Sequence, residues 1–181
     1  MSDVEQRLAA LENRVGELED INAIRRLHWA YGYYIDFNLP EQVADLFAGL
    51  GTFSFALAGE AKVLAAEAAR DAHLACKAAA GRSGRPVHAL HRDLFRNPLP
   101  PDELNRFDAV LLDPPRAGAR EQVARLAEST VARIAYVSCN PSSWARDAAT
   151  LIAAGYRLEK ARPVGQFVWS THVELASLFV R

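Results

Sequence analysis

The sequence predicts an α/β protein: a mostly parallel, doubly wound sheet of seven strands, preceded by an amphipathic helix. Three observations carry that reading. From Val43 to the C-terminus, short apolar runs alternate with Ala-rich helical stretches, and strands separated by helices imply a parallel sheet covered on both faces. Chemically unusual residues stand where those runs end, which is where open α/β sheets bind ligands. Before residue 43 the pattern differs, with apolar residues at spacings of three and four that mark a helix.

Composition bounds the remainder. The chain has 181 residues, 50% of them hydrophobic and 24% charged, enough to bury one ordinary core. No apolar run reaches the roughly eighteen residues of a membrane span, and the polar, acidic start does not read as a secretory signal. A cytoplasmic protein with no membrane partner is expected. Two cysteines, Cys76 and Cys139, make no disulfide framework and have no metal-ligand spacing, so reduced thiols and no metal are expected. A formal net charge of −1 excludes a basic nucleic-acid footprint over the whole molecule while leaving room for a local patch.

Taken in order, Val4, Leu8, Leu11, Val15, Leu18, Ile21, Ile24 and Leu27 form the seam of a helix over residues 1–36. Such a seam suits a coiled coil or a homodimer. An aromatic cluster follows at Trp29, Tyr31, Tyr33, Tyr34 and Phe37, and Asn38-Leu-Pro40 ends the segment, since proline disfavours helix at the residue before it. This defines an N-terminal helical segment, 1–42, and a domain over 43–181. Strands are expected at Val43–Ala48, Ala61–Glu67, Pro86–Leu90, Phe107–Asp113, Arg133–Ser138, Tyr156–Pro163 and Val173–Val180. Helices are expected at Thr52–Ala58, Asp71–Gly81, Ala119–Val131 and Ser142–Ala154, with a polar loop between the third and fourth strands.

The strand ends carry the chemistry. The first leads through Asp45-Leu-Phe-Ala-Gly-Leu-Gly51, where Gly49 and Gly51 let the backbone turn tightly beside a ligand. A dinucleotide fingerprint would place Gly or Ala at position 54, where Ser54 stands, so an adenosyl group without a pyrophosphate is favoured over a nicotinamide cofactor. Glu67, ending the second strand, can accept hydrogen bonds from both hydroxyls of a ribose, and Asp93 after the third can take an adenine amino group. The fourth ends in Asp113-Pro-Pro-Arg116, in which two prolines stiffen a loop and hold a carboxylate and a guanidinium at the mouth of the sheet. The fifth delivers Ser138-Cys139-Asn140-Pro141 to the same rim, where a cysteine is better read as a nucleophile than as core. Cys76, inside an Ala-rich helix, has the opposite reading.

With DLFAGLGTFS, LLDPPRAGA, YVSCNPSSWARD and HVELASLF in view, residues 43–181 resemble the catalytic domain of the S-adenosylmethionine-dependent RNA 5-methyluridine methyltransferases. The resemblance implies a Rossmann-like class I methyltransferase sheet, S-adenosylmethionine as cofactor, and a uridine of tRNA or rRNA as substrate. It implies that Cys139 adds to C6 of the uracil and that Glu174 removes the C5 proton after methyl transfer. It also implies cofactor contacts from the Gly49/Gly51 loop, Glu67 and Asp113. Asp45 and Asp93 are further cofactor-binding candidates; on the substrate side Asn140 would fix the thiol, Arg116 could hold a phosphate or the uracil carbonyl, and His172 is a candidate. The family's N-terminal β-barrel has no place in this chain, its cofactor-contacting Gln has no counterpart in YYIDFNLPEQ, and Gly165 stands where an acidic residue is expected.

Residues 1–48 resemble instead the N-terminal helices of SnoaL-like proteins, small α+β cones, and the two resemblances meet at DLFA, as in a chimera. Two other functions follow from these features: a non-catalytic cofactor-binding or dimerisation module, and a SnoaL-like lyase.

Overall fold

The computed structural model of the chain describes residues 41–164 and 173–181. The chain divides into two units, Met1–Tyr33 and Tyr34–Arg181. The N-terminal helix, its aromatic cluster, the homodimer it would support, Gly165 and His172 all lie outside the described residues.

Seven strands form one sheet: β1 (Gln42–Leu46), β2 (Lys62–Glu67), β3 (Val87–His91), β4 (Ala109–Leu112), β5 (Arg133–Ser138), β6 (Arg157–Val164) and β7 (Glu174–Val180). Their spatial order is β3-β2-β1-β4-β5-β7-β6. The first five run parallel, and β7 is inserted antiparallel between β5 and β6. Among the described residues, five helices connect them: α1 (Thr52–Leu57), α2 (Arg70–Ser83), α3 (Pro101–Leu104), α4 (Arg120–Glu128) and α5 (Pro141–Ala153). The order reverses between β1 and β4, and that switch point opens a crevice at their carboxyl ends.

The burial pattern follows from this order. Central β4 is buried at all four positions and β1 at four of five, because neighbours and helices cover both faces. At the sheet's margin, most of β6 is exposed and β3 is only half-buried, so the expectation of burial on both faces holds for the centre and fails at the edges. One face packs on α4 and α5 through a core of Leu46, Val110, Leu112, Leu126, Ile134, Tyr136, Leu151 and Phe179. The expected polar loop after β3 contains the single turn α3, started by Pro101 at its first position and anchored by buried Leu104. α4 stops at Glu128, short of Val131, because the Ser129 hydroxyl turns back to donate to the carbonyl of Leu126. No helix among the described residues is long and apolar enough to cross a membrane.

Candidate active site at the carboxyl edge of the sheet

The chain leaves β1 through a loop that only part of its sequence can tolerate freely. Phe47 has φ 67°, Gly49 φ 56° and Gly51 φ 89°, all in the left-handed region that L side chains avoid. A Cβ at Gly51 would lie 2.8 Å from Cys76 Sγ and 2.9 Å from the Phe55 ring, whereas one at Gly49 would meet open space. Gly51 is thus packed from below by Cys76, whose buried thiol is a structural one. Gly49 presents bare backbone to whatever lies above the loop. Burial raises the Cys76 thiol pKa, and the charge of Asp45 adds to that.

Glu67 ties this loop to the end of β2. Its Oε2 accepts from the Gly49 amide at 2.8 Å and its Oε1 from the Ala69 amide at 2.6 Å. Asp45 is fully buried beneath the loop, so it supports the site from below rather than lining it directly. One of its oxygens accepts from the Ser54 hydroxyl, while Oδ1 has no partner. Burial pushes its pKa up to about 6, with hydrogen bonds from Ser54 opposing the rise and the charge of Glu67 adding to it.

After β3, Oδ1 of Asp93 accepts from the amides of Phe95 and Arg96 at 3.0 and 3.3 Å, which closes the turn, while Oδ2 lies 3.7 Å from Arg96 Nε. Phe95 is 39% exposed and packs its ring against Phe47 at a centroid distance of 5.3 Å. Neither phenylalanine stood out in the sequence reading. The signal available was an aromatic two residues beyond Asp93, and only the fold shows that it meets the strained residue of the β1 loop. His91 supports the same rim, its Nε2 bonding the Ala68 carbonyl at 2.8 Å while its ring stacks on His73.

The fourth and fifth strand ends meet through Asn140. Its side-chain amide donates to the Arg116 carbonyl at 2.9 Å, and its Oδ1 accepts from the Ser142 amide, capping α5. The structure therefore employs Asn140 first as a bridge between the two loops, a role that its expected place beside substrate did not include. Arg116 is exposed on the rim. Asp113 is half-buried, and burial raises its pKa to about 7, helped by the negative charges of Asp45 and then Glu174.

The antiparallel register of β5 and β7 decides the remaining geometry. Ser138 pairs with Leu175, so the next position on each strand is Cys139 on one side and Glu174 on the other. A partly exposed thiol and a half-buried carboxylate thereby lie at the same end of neighbouring strands. Asp113 lies within electrostatic reach of that carboxylate. Glu67, Asp93, Asp113, Cys139 and Glu174 thus share one edge. No group of His, Cys, Asp and Glu among the described residues could hold a metal ion. A groove of about 540 Å³, lined by Lys62, Leu64, Arg85, His88, Arg106 and Phe107 among others, shares no residue with this edge.

Comparison with known proteins agrees with the geometry. Residues 99–181 match the family described as tRNA (Uracil-5-)-methyltransferase. Residues 16–94 match a SnoaL-like domain, although the described part of that stretch, from Glu41 onward, forms the parallel unit β1-α1-β2-α2-β3. An uncharacterized RNA methyltransferase of Zymomonas mobilis is 57% identical over 139 residues, covering 77% of this chain and 35% of that protein. The 23S rRNA (uracil(1939)-C(5))-methyltransferase of Pseudomonas fluorescens is 43% identical over 145 residues, covering 77% of this chain and 31% of that protein. The chain spans about a third of the length of these curated relatives. Among solved structures, the Pyrococcus abyssi tRNA (uracil-54, C5)-methyltransferase in complex with S-adenosyl-L-homocysteine superposes with TM-score 0.72 at 27% identity, covering 90% of this chain and 38% of that one. Over its C-terminal sheet, this chain is similar to the tRNA (uracil-5-)-methyltransferase family, whose model matches residues 99–181.

Proposed function

We propose that the sheet domain transfers a methyl group from S-adenosylmethionine to C5 of a uracil in tRNA or rRNA, through a covalent adduct on Cys139, in the cytoplasm. The observation that supports this reading is the β5/β7 register, whose last pair, Ser138 with Leu175, brings Cys139 and Glu174 to the same end of neighbouring strands. A nucleophile and a base on opposite strands at one rim are what the two halves of the reaction require.

The residues present fit the cofactor. Gly49 offers open backbone, Glu67 offers a carboxylate beside it, and Phe95 offers a half-exposed aromatic face next to Asp93. Asp45 and Asp113 both have raised pKa values, and Asp45 keeps an oxygen without a partner, as suits a site built to receive positive charge. When bound, the cofactor supplies an electrophilic methyl group on a cationic sulfonium. Glu67 and Asp93 would hold the ribose and adenine, and Asp113 would lie toward the charged end.

On the substrate side, C5 of uracil is too weak a nucleophile by itself. Addition of the Cys139 thiolate at C6 makes C5 an enolate carbon able to take the methyl group. Glu174 then accepts the C5 proton, the C5–C6 double bond re-forms, and the Cys139 sulfur departs as thiolate. Arg116, exposed on the rim, is placed to hold a phosphate or the uracil carbonyl by charge-assisted hydrogen bonds. The target base would have to leave its stack to reach this edge.

The test is calorimetric titration with S-adenosylhomocysteine, followed by gel detection of a denaturation-resistant adduct with 5-fluorouridine RNA. Micromolar binding that Glu67→Ala removes, with an adduct that Cys139→Ala abolishes, supports the reading. Binding without any adduct leaves a cofactor-binding module, and no binding by a folded chain refutes the proposal.

A further inference from the structure

The stretch Trp144-Ala-Arg-Asp147 belongs to one of the motifs that identify this chain, yet none of its residues lies at the catalytic rim. Asp147 is almost completely buried, at 1% exposure. Its Oδ2 accepts from the Ala119 amide and from the Tyr136 hydroxyl, each at 2.7 Å. Its Oδ1 is paired with Arg146, at 2.9 Å from Nε and 2.8 Å from Nη2. Arg146 Nη2 also donates to the Ala117 carbonyl at 3.0 Å.

The contacts fall on three residues within four of the loop after β4. Arg116 is held at its carbonyl by Asn140, Ala117 at its carbonyl by Arg146, and Ala119 at its amide by Asp147. Between them Gly118 has φ +82°, and a Cβ there would lie 2.6 Å from both Arg146 Nη2 and Asp147 Oδ2. The same helix reaches the other way: Trp144 Nε1 donates to Ser177 Oγ at 2.9 Å, and Ser177 Oγ donates to the Tyr136 carbonyl at 3.0 Å. α5 is thus bonded to the loop that follows Asp113, to β5 that leads into Cys139, and to β7 that begins at Glu174. A buried charge with all its bonds made in this way costs stability unless geometry repays it. Here the geometry it maintains is the relative position of three reactive strand ends.

We propose that Asp147, acting with Arg146, is the positioning residue that fixes the Asp113–Arg116 loop against the Cys139 loop. The inference rests on the methyltransferase reading for its consequence in catalysis, while the clamp itself can be tested without it. A displacement near 1 Å in a reacting group is enough for a rate loss of about a hundredfold.

The experiment compares wild type with Asp147→Asn and with Arg146→Gln, whose half-exposed site makes misfolding a lesser concern. Leu126→Ala, in the core under α4, serves as a stability control. Three quantities are read: S-adenosylhomocysteine affinity, the rate of Cys139 alkylation by iodoacetamide, and adduct formation with 5-fluorouridine RNA. The clamp variants should alkylate Cys139 roughly tenfold faster and form adduct roughly a hundredfold more slowly, with cofactor affinity within about threefold of wild type. The core variant, at a matched loss of Tm, should leave the alkylation rate unchanged. Unchanged alkylation in both clamp variants overturns the inference, as does a fall in cofactor affinity that parallels the loss of adduct. If wild type forms no adduct, the functional reading fails on that result and the alkylation rates alone decide the clamp.

Discussion

Replacing Asp113 by Asn should change how the fold responds to pH. Its carboxyl has a pKa of about 7 in the folded chain against 3.8 ordinarily, chiefly because it is buried and then because Asp45 and Glu174 repel its charge. A carboxyl with a raised folded pKa stabilises the fold fully below pH 3.8, since the native state holds the proton more tightly than the unfolded chain. That contribution is lost as pH rises toward about 7. A separation of roughly three pH units at about 1.4 kcal/mol each gives a ceiling near 4 kcal/mol. Asp113 keeps some contact with solvent, which reduces the expected effect to about 2 kcal/mol. Urea titrations of wild type and Asp113→Asn at pH 4.5, 6 and 8 measure it. The variant should gain on wild type by about 2 kcal/mol across that range, mostly between pH 5 and 7. Parallel curves would refute the reasoning. A cation placed beside this carboxylate reverses the cost, so the Tm shift produced by S-adenosylmethionine should grow from pH 6 to pH 8 in wild type and stay flat in the variant.

Gly51→Ala should cost about 1–3 kcal/mol in a urea titration, from left-handed strain together with the clash against Cys76 and Phe55, and should weaken S-adenosylhomocysteine binding by calorimetry. Tyr136→Phe removes a donor from the buried Asp147 carboxylate and should lower stability by about 1.5–3 kcal/mol; a loss below about 0.5 kcal/mol would mean that the remaining donors suffice. Mass spectrometry after limited iodoacetamide treatment should find the label on partly exposed Cys139 well before buried Cys76. Equal labelling would contradict the placement of both thiols.

Much of this molecule is written in one dimension. The alternation of apolar runs and helices located all seven strands within a few residues; for the central ones the reason is that a strand buried on both faces must be apolar along its length. β5, Arg133–Ser138, matches its expected bounds. The short α3 and the exposed edges escaped notice, since a four-residue turn has no period to read and an edge strand is defined by a neighbour it lacks. Glu67, Asp93, Asp113 and Cys139 were legible as candidates because each ends a strand, and the topology of such sheets sends strand ends to one rim. Phe47 and Phe95, far apart in the chain, could not be paired from spacing. Asn140 and Asp147 could not be identified as bridges, because their partners are backbone groups of a loop more than twenty residues away. By itself, then, the sequence determined the order of elements and which residues reach the rim, through local periodicity and the chemistry of strand ends. Only the tertiary structure decided that β7 runs antiparallel beside β5, so that Cys139 and Glu174 come to the same end of the sheet. It alone decided that α5 binds the neighbouring loops together, because register and long-range hydrogen bonds depend on the packing of the whole sheet.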